Sequence, residues 1–299
     1  MKSGFVAIIG RPNVGKSTFI NAVVGSKIAI MSDKPQTTRN KISGVYNGND
    51  SQIIFIDTPG IHKPHNELGK LMTMDAYSAT KDVEAILWMI SVNSHFSIGE
   101  EMIVNNLKNT QKPIYLCINK IDLLKNKNQV DEIILAYKDK LPFKGIYPIS
   151  AKNNLNVEYL IHDLISLMPI GPKYYPDNMI TDHPESFLIA ELIREKVLLF
   201  TEEEIPHSVA VIVDMLRKNE NDPNTIDCYA TIYVERNSQK GILIGKGGAM
   251  LKKINTAARK DIIRLLGSKV YLEVWVKVKE DWRNKEAVLK TLGYKDTNF

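Results

Sequence analysis

Residues 10–17 read GRPNVGKS, set between an apolar run at 5–9 and a helix-like stretch at 18–24. Glycines at both ends let the backbone curl until successive N–H groups converge on a polyphosphate, and the helix behind the loop adds its positive end. The pattern has this meaning only between a strand and a helix, so it restricts the fold as well as the ligand. Gly10, Arg11, Pro12, Asn13, Val14 and Gly15 supply the backbone cradle, Lys16 reaches the β and γ phosphates, Ser17 presents a hydroxyl to Mg²⁺, and Thr18 follows at the helix start.

A chain of 299 residues is long for one core and suits two domains. Over residues 1–170 short apolar runs alternate with helical stretches, which predicts an α/β fold. Strands are expected at 5–9, 41–46, 52–56, 83–91, 113–119 and 145–149, and helices at 16–24, 68–80, 100–108, 129–138 and 157–168. Only Asn47 to Ser51 separate the second and third strands, too short for a crossover, so that pair is an antiparallel hairpin in an otherwise parallel, six-stranded sheet. Prolines at 169, 172, 176 and 184 mark a linker over 171–184, one that packs against one or both domains rather than swinging free. A second domain at 185–280 opens with a helix to 201, continues with strands at 209–216 and 225–235, a glycine-rich turn at 241–248 and a helix at 249–266, and ends with a strand at 269–279. A tail at 281–299 holds a short helix with Val288, Leu289 and Leu292 on one face.

Later motifs identify the nucleotide. The third strand ends in Asp57-Thr58-Pro59-Gly60, so Asp57 stands where it can hold a water of the Mg²⁺ shell, and Gly60 can bring a bare N–H to the γ phosphate. The fifth strand ends in Asn119-Lys120-Ile121-Asp122. Asp122 can accept from both N1–H and the exocyclic amine of guanine, which adenine cannot match, and sites built this way can reject the wrong ligand by ~10⁴-fold or more. Lys120 would lay its stem over the base, Asn119 would tie its loop to the phosphate loop, and in Ser150-Ala151-Lys152 the Ala151 N–H would donate to guanine O6. Between the first helix and second strand, Pro35-Gln36-Thr37-Thr38-Arg39 offers a threonine whose hydroxyl can complete the Mg²⁺ shell and be released on hydrolysis, with Thr38 preferred and Thr37 the alternative. Lys16, Thr38 and Gly60 are thus the groups expected to act on GTP during its conversion to GDP.

Signalling GTPases place a water-orienting glutamine after this glycine, whereas here stands Ile61, which cannot hydrogen-bond a water. Slow intrinsic hydrolysis follows, with the missing group supplied by another loop, a partner, or a monovalent cation such as K⁺ beside Asn13; such help can be worth ~10³ to 10⁵ in rate.

Ile244-Gly245-Lys246-Gly247-Gly248 precedes a helix carrying Lys252, Lys253, Arg259, Lys260 and Arg264. In a KH module a G-x-x-G turn clamps about four nucleotides of single-stranded RNA. The order helix, strand, strand, G-x-x-G, helix, strand matches the bacterial, type II arrangement, with positive charge gathered beside the turn. The motifs GRPNVGKS, PQTTR, DTPG, NKID, SAK and IGKGG, with Glu204 to Ser208 ahead of the first KH strand, resemble the Era family of ribosome-assembly GTPases over nearly the whole chain. That resemblance implies binding to the 3′ end of 16S rRNA, a part in maturation of the 30S subunit, and loose peripheral attachment to the inner face of the cell membrane. The alternative is a GTPase of transfer RNA modification or a signalling switch whose second domain binds protein.

The remaining features are permissive. Two cysteines, far apart and each in an apolar run, imply neither a disulfide framework nor a zinc cluster and point to a reducing, cytoplasmic setting. A net charge of +5 says little as a whole-chain number, and no apolar run approaches membrane-spanning length. The histidines form no ligand spacing, with His62 and His65 expected at the surface, as is Glu202 to Glu204. The chain is expected to be monomeric.

Overall fold

The computed structural model describes residues 1–34, 36–61, 64–126 and 128–294. Contacts divide the chain into two units: Met1–Ala29, Thr38–His65 and Gly69–Asp182 form the first, and Ile30–Thr37, Asn66–Leu68 and His183–Phe299 the second.

In the first unit β1 (Lys2–Gly10), α1 (Lys16–Val24), β2 (Ile42–Gly48), β3 (Ser51–Asp57), α2 (Glu67–Ser78), β4 (Ala85–Ser91), α3 (Ile98–Leu107), β5 (Ile114–Asn119), α4 (Asn128–Tyr137), β6 (Phe143–Pro148) and α5 (Val157–Leu167) follow one another. The six-stranded sheet has the order β2-β3-β1-β4-β5-β6. Only β2 and β3 run antiparallel, with Ile42 opposite Asp57 and Gly48 opposite Ser51, as the short connection requires. Every residue of β4 and β5 is buried, the burial expected of parallel strands covered on both faces. Since β1 lies between β3 and β4, the chain leaving β1 and the chain leaving β3 turn to opposite sides, which opens a crevice at the carboxyl ends of the strands.

The linker packs on the first unit. Fully buried Gln52 accepts from the amides of Tyr174 and Tyr175 at 2.9 and 3.0 Å and donates to the Tyr175 carbonyl at 2.8 Å. Phe5 meets Tyr174 edge-on, and the Val45 amide donates to the Ile180 carbonyl.

The second unit contains α6 (Glu185–Phe200), α7 (Ile205–Ser208), β7 (Ala210–Lys218), β8 (Thr225–Val234), α8 (Asn237–Ile244), α9 (Ala249–Leu266), β9 (Lys269–Val278) and α10 (Glu286–Thr291). Its sheet, β7-β8-β9, pairs β8 with β7 antiparallel and with β9 parallel. Cys228, Ala230, Ile232 and Val234 of β8 and Val270 to Val276 on alternate positions of β9 face the buried residues of α6, α8 and α9. The other face of β9 carries Tyr271, Trp275 and Lys277 in solvent. Trp282 is buried and donates to the Ser208 carbonyl at 2.9 Å, which fastens the tail, where Leu289 and Leu292 are buried and Val288 half-buried.

One expectation is corrected. The stretch 241–248, read as a single turn, begins inside α8, and only Gly245 to Gly248 form the turn. The sequence hides α8 because only Gln239 and Leu243 of it are buried, too few to set up a helical stripe, and Gly241 stands in its middle. Both cysteines are free and buried, as expected.

Candidate nucleotide site and nucleic-acid interface

The phosphate loop leaves β1 and ends where Gly15, at φ 102°, precedes α1. Lys16 is buried, with its Nζ bound to the Gly10 and Arg11 carbonyls at 3.3 and 3.1 Å. Ser17 Oγ lies 2.8 Å from Asp57 Oδ2 and 2.9 Å from Thr38 Oγ1. Three oxygen-bearing side chains from α1, the following loop and β3 therefore meet at one point. Burial pushes the Asp57 carboxyl up to about 6, against the pull of the Lys16 charge and the Ser17 hydroxyl, and burial also lowers Lys16. Asp57 Oδ1 is buried with no hydrogen-bond partner among the described residues. A buried carboxylate with an unpaired oxygen beside two hydroxyls suits a hard divalent cation that takes oxygen ligands, so these residues fit Mg²⁺.

The two threonines left open by sequence are separated here. Thr37 Oγ1 donates to the Lys34 carbonyl at 2.6 Å, and the Thr37 carbonyl accepts from Arg194 of α6, whose guanidinium is held by Glu191 at 2.6 Å. Thr38 alone turns its hydroxyl to Ser17. Pro35 of this loop and His62 lie outside the described residues, and His65 is exposed.

A Cβ on Gly60 would stand 2.7 and 2.8 Å from the Pro12 N and Cα, so only glycine lets the two loops approach this closely. Pro59 is buried, and Thr58 Oγ1 donates to the Ile8 carbonyl at 2.7 Å, fixing the loop on β1. Ile61 is 1 % exposed and packs with Ala7, Ile9, Trp88 and Ile90, while its amide donates to the Gly10 carbonyl at 3.0 Å. Its side chain belongs to the core.

At the guanine end Asn119 Nδ2 donates to the Val14 carbonyl at 3.0 Å, the tie expected from sequence. Lys120 Nζ donates to the Asn13 carbonyl at 2.7 Å, a second tie, and half-buried Ile121 packs on the core. The Ala151 N–H, expected for guanine O6, donates to Asn119 Oδ1 at 2.9 Å, so within the protein it supports the asparagine. Ser150 Oγ donates to Asp122 Oδ1 at 2.5 Å and orients that carboxylate, a role no spacing rule announces. Lys152 is exposed. Arg11 turns its side chain to Ser97 at 2.9 Å and Glu100 at 3.4 Å, and only its carbonyl joins the loop's contacts with Lys16. Ser97 and Glu100, which hold Arg11, had no signal in the sequence.

In the second unit Gly245, at φ 72° and ψ 172°, occupies a backbone region open to glycine alone, and a Cβ there would meet Met250 at 2.8 Å. Ile244 packs on the core, while Lys246, Gly247 and Gly248 form the turn into α9, with Lys246 and Gly247 exposed and Gly248 half-buried. From that turn a groove of about 680 Å³ runs between α9 and β9, lined by Lys252, Asn255 and Arg259 on one side and Tyr271 and Glu273 on the other. The strand wall was invisible to motif reading, which saw only the turn and the helix cations.

Residues 5–120 match the family model "50S ribosome-binding GTPase" and residues 204–283 that of the KH domain. The chain is 56 % identical over 293 residues to GTPase Era of Staphylococcus epidermidis, covering 98 % of this chain and 97 % of that one. Two solved structures cover 99 % of this chain and 100 % of theirs at 39 % identity. They are a variant of Aquifex aeolicus Era bound to GDP·AlF₄⁻, with a TM-score of 0.93, and Era in complex with MgGDPNP and nucleotides 1506–1542 of 16S ribosomal RNA, with a TM-score of 0.94. With a phosphate loop, its asparagine tie and a glycine turn each on the element its chemistry needs, the 56 % identity to GTPase Era over 98 % of this chain and the likeness to solved Era structures over 99 % of it place the chain in the Era family of GTPases.

Proposed function

We propose that this GTPase times its hold on the 3′ end of 16S rRNA by its nucleotide state, and so acts in assembly and maturation of the 30S subunit. The observation that carries the reading is a full-length relative solved with MgGDPNP and nucleotides 1506–1542 of 16S rRNA, on a fold that this chain shares from end to end. In this reading residues 1–170 form the GTPase domain, 171–184 the linker, 185–280 the RNA-binding domain and 281–299 the tail. Gly10 to Thr18 cradle the phosphates, Lys16 meets their charge, and Thr38 and Gly60 sense the third phosphate. Ser17 and Thr38 hold Mg²⁺ directly and Asp57 through water, and the ion when bound neutralises phosphate charge. Asn119 to Asp122 and Ser150 to Lys152 select guanine, with Ser150 aiming Asp122 and Asn119 braced by Ala151. Ile244 to Gly248 and Lys252 grip single-stranded RNA.

The side-chain position of Ile61 in the core supports slow unaided hydrolysis, with K⁺ near Asn13 or a partner completing the site. Single-turnover hydrolysis in sodium and in potassium buffer separates these. The chain is taken to act as a monomer in the cytoplasm, and peripheral contact with the inner membrane is supported by the family resemblance alone.

Crosslinking of the intact protein, with a GTP analogue bound, to total RNA tests the assignment. Enrichment of the 3′ end of 16S rRNA is expected, and recovery of transfer RNA or of no RNA would overturn it. Gly247→Asp is expected to weaken RNA binding, read by anisotropy, while guanine nucleotide affinity stays within about twofold, because Gly247 is exposed and an aspartate tolerates its positive φ.

A further inference from the structure

The helical face of the second unit carries a second groove, on the other side of α9 from the first. It measures about 550 Å³ and runs between α6 and α9. Lys196, Lys252, Lys253, Lys260 and Arg264 line it, against a single acidic residue, Asp261. That carboxylate is already engaged by Lys196 at 2.5 Å and by Arg264 at 3.2 Å, and Lys196 is also held by Glu195 at 2.7 Å. Lys252, Lys253 and Lys260 have no carboxylate partner among the described residues, and Lys253 Nζ stands 4.3 Å over the Phe200 ring. Unneutralised charge in a concavity focuses the field on a polyanion.

Continuity with the glycine turn indicates which polyanion. Gly248 lines the α9–β9 groove and its neighbour Ala249 lines the α6–α9 groove, so both begin at the clamp. Lys252, Thr256 and Lys260 line both. α9 is therefore a ridge whose cations serve two channels. RNA clamped at the turn holds its flanking chain beside that ridge at high effective concentration. The groove is concave, its Phe200 ring is covered by an ammonium, and Leu199 is the one strongly exposed large apolar side chain that lines it. This suits a cord-like phosphate chain rather than a membrane surface, which is met by several protruding apolar side chains.

We propose that the α6–α9 groove is a second phosphate-binding surface that holds the backbone of RNA flanking the segment clamped at Gly245 to Gly248. The proposal rests on the reading of this unit as RNA-binding. Contacts of this kind set register and affinity without reading bases.

Of the two grooves, Lys253 and Arg264 line the α6–α9 groove and not the α9–β9 groove, so Lys253→Gln/Arg264→Gln separates them. With a GTP analogue bound, anisotropy would compare a tetranucleotide that fills the clamp with the 1506–1542 segment, across a salt titration. The double variant is expected to bind the tetranucleotide within about twofold of the parent. Its affinity for the long RNA should fall about tenfold and its salt slope should become shallower by about 1.4 to 1.8, the loss of two phosphate contacts. Lys253→Arg/Arg264→Lys should restore both. Unchanged long-RNA affinity and slope would overturn the proposal, as would equal losses for short and long RNA. So would loss of binding to phosphatidylglycerol vesicles with RNA binding intact, which would assign the groove to a membrane surface. A parent protein that binds neither RNA overturns the RNA-binding reading itself and is seen before any variant is made.

Discussion

Gly60 and Ile61 stand side by side and are held by opposite constraints. Gly60 is fixed by closeness to Pro12, where added volume costs ~1–3 kcal/mol. Gly60→Ala is therefore expected to weaken binding of a GTP analogue about tenfold while GDP binding changes little, read by competition with a fluorescent guanine nucleotide. Ile61 is fixed by burial, which bears on any attempt to restore a catalytic glutamine there. Ile61→Gln would bury an amide among Ala7, Ile9 and Trp88, at about 1–3 kcal/mol for each unsatisfied group. The expected outcome is a lower denaturation midpoint with no faster single-turnover hydrolysis. An accelerated turnover would show that the side chain leaves the core to reach water. From sequence the isoleucine could be read only as a missing hydrogen-bonding group, because its direction depends on a sheet face assembled from β1 and β4.

The strands were legible as elements because β3, β4 and β5 carry uninterrupted apolar stretches, Ile53 to Ile56, Ala85 to Ile90 and Ile114 to Ile118, and burial on both faces demands such stretches wherever they occur in a chain. The hairpin was legible because chain length alone forbids a crossover. α8 was not, since the residues that bury it are few and Gly241 sits at its centre. A Cβ on Gly241 would meet nothing within 4 Å. Gly241→Ala is thus expected to stabilise the second unit by about 0.5–1 kcal/mol in urea unfolding of the whole chain, with RNA affinity unchanged. A destabilised variant would mean that the helix needs its glycine. The site was legible in the same uneven way. Motifs mark groups that face a ligand, whereas Ser97 and Glu100 face another side chain and belong to no motif, and Ser150, although it opens the SAK motif, turns its hydroxyl to Asp122.

Across the whole molecule, what proline content left ambiguous is decided by one buried side chain. Gln52 closes on Asn47, Tyr174 and Tyr175, so the linker is part of the first unit's structure up to Asp182. Gln52→Ala strands the amides of Tyr174 and Tyr175, and at about 1–3 kcal/mol per stranded group the linker should loosen. Limited proteolysis is expected to cut within 171–184 faster than in the parent, and an unchanged rate would mean that Phe5 and Val45 hold the segment without it. The β2–β3 hairpin has a practical consequence. With Ile42 opposite Asp57, the loops that carry Thr38 and Gly60 leave neighbouring rungs at one end of the ladder, while exposed Asn49 and Asp50 turn the chain at the other. A fluorophore attached at Asn49 therefore leaves both loops untouched, and one placed near Ile42 would report on the two loops together as a single optical signal.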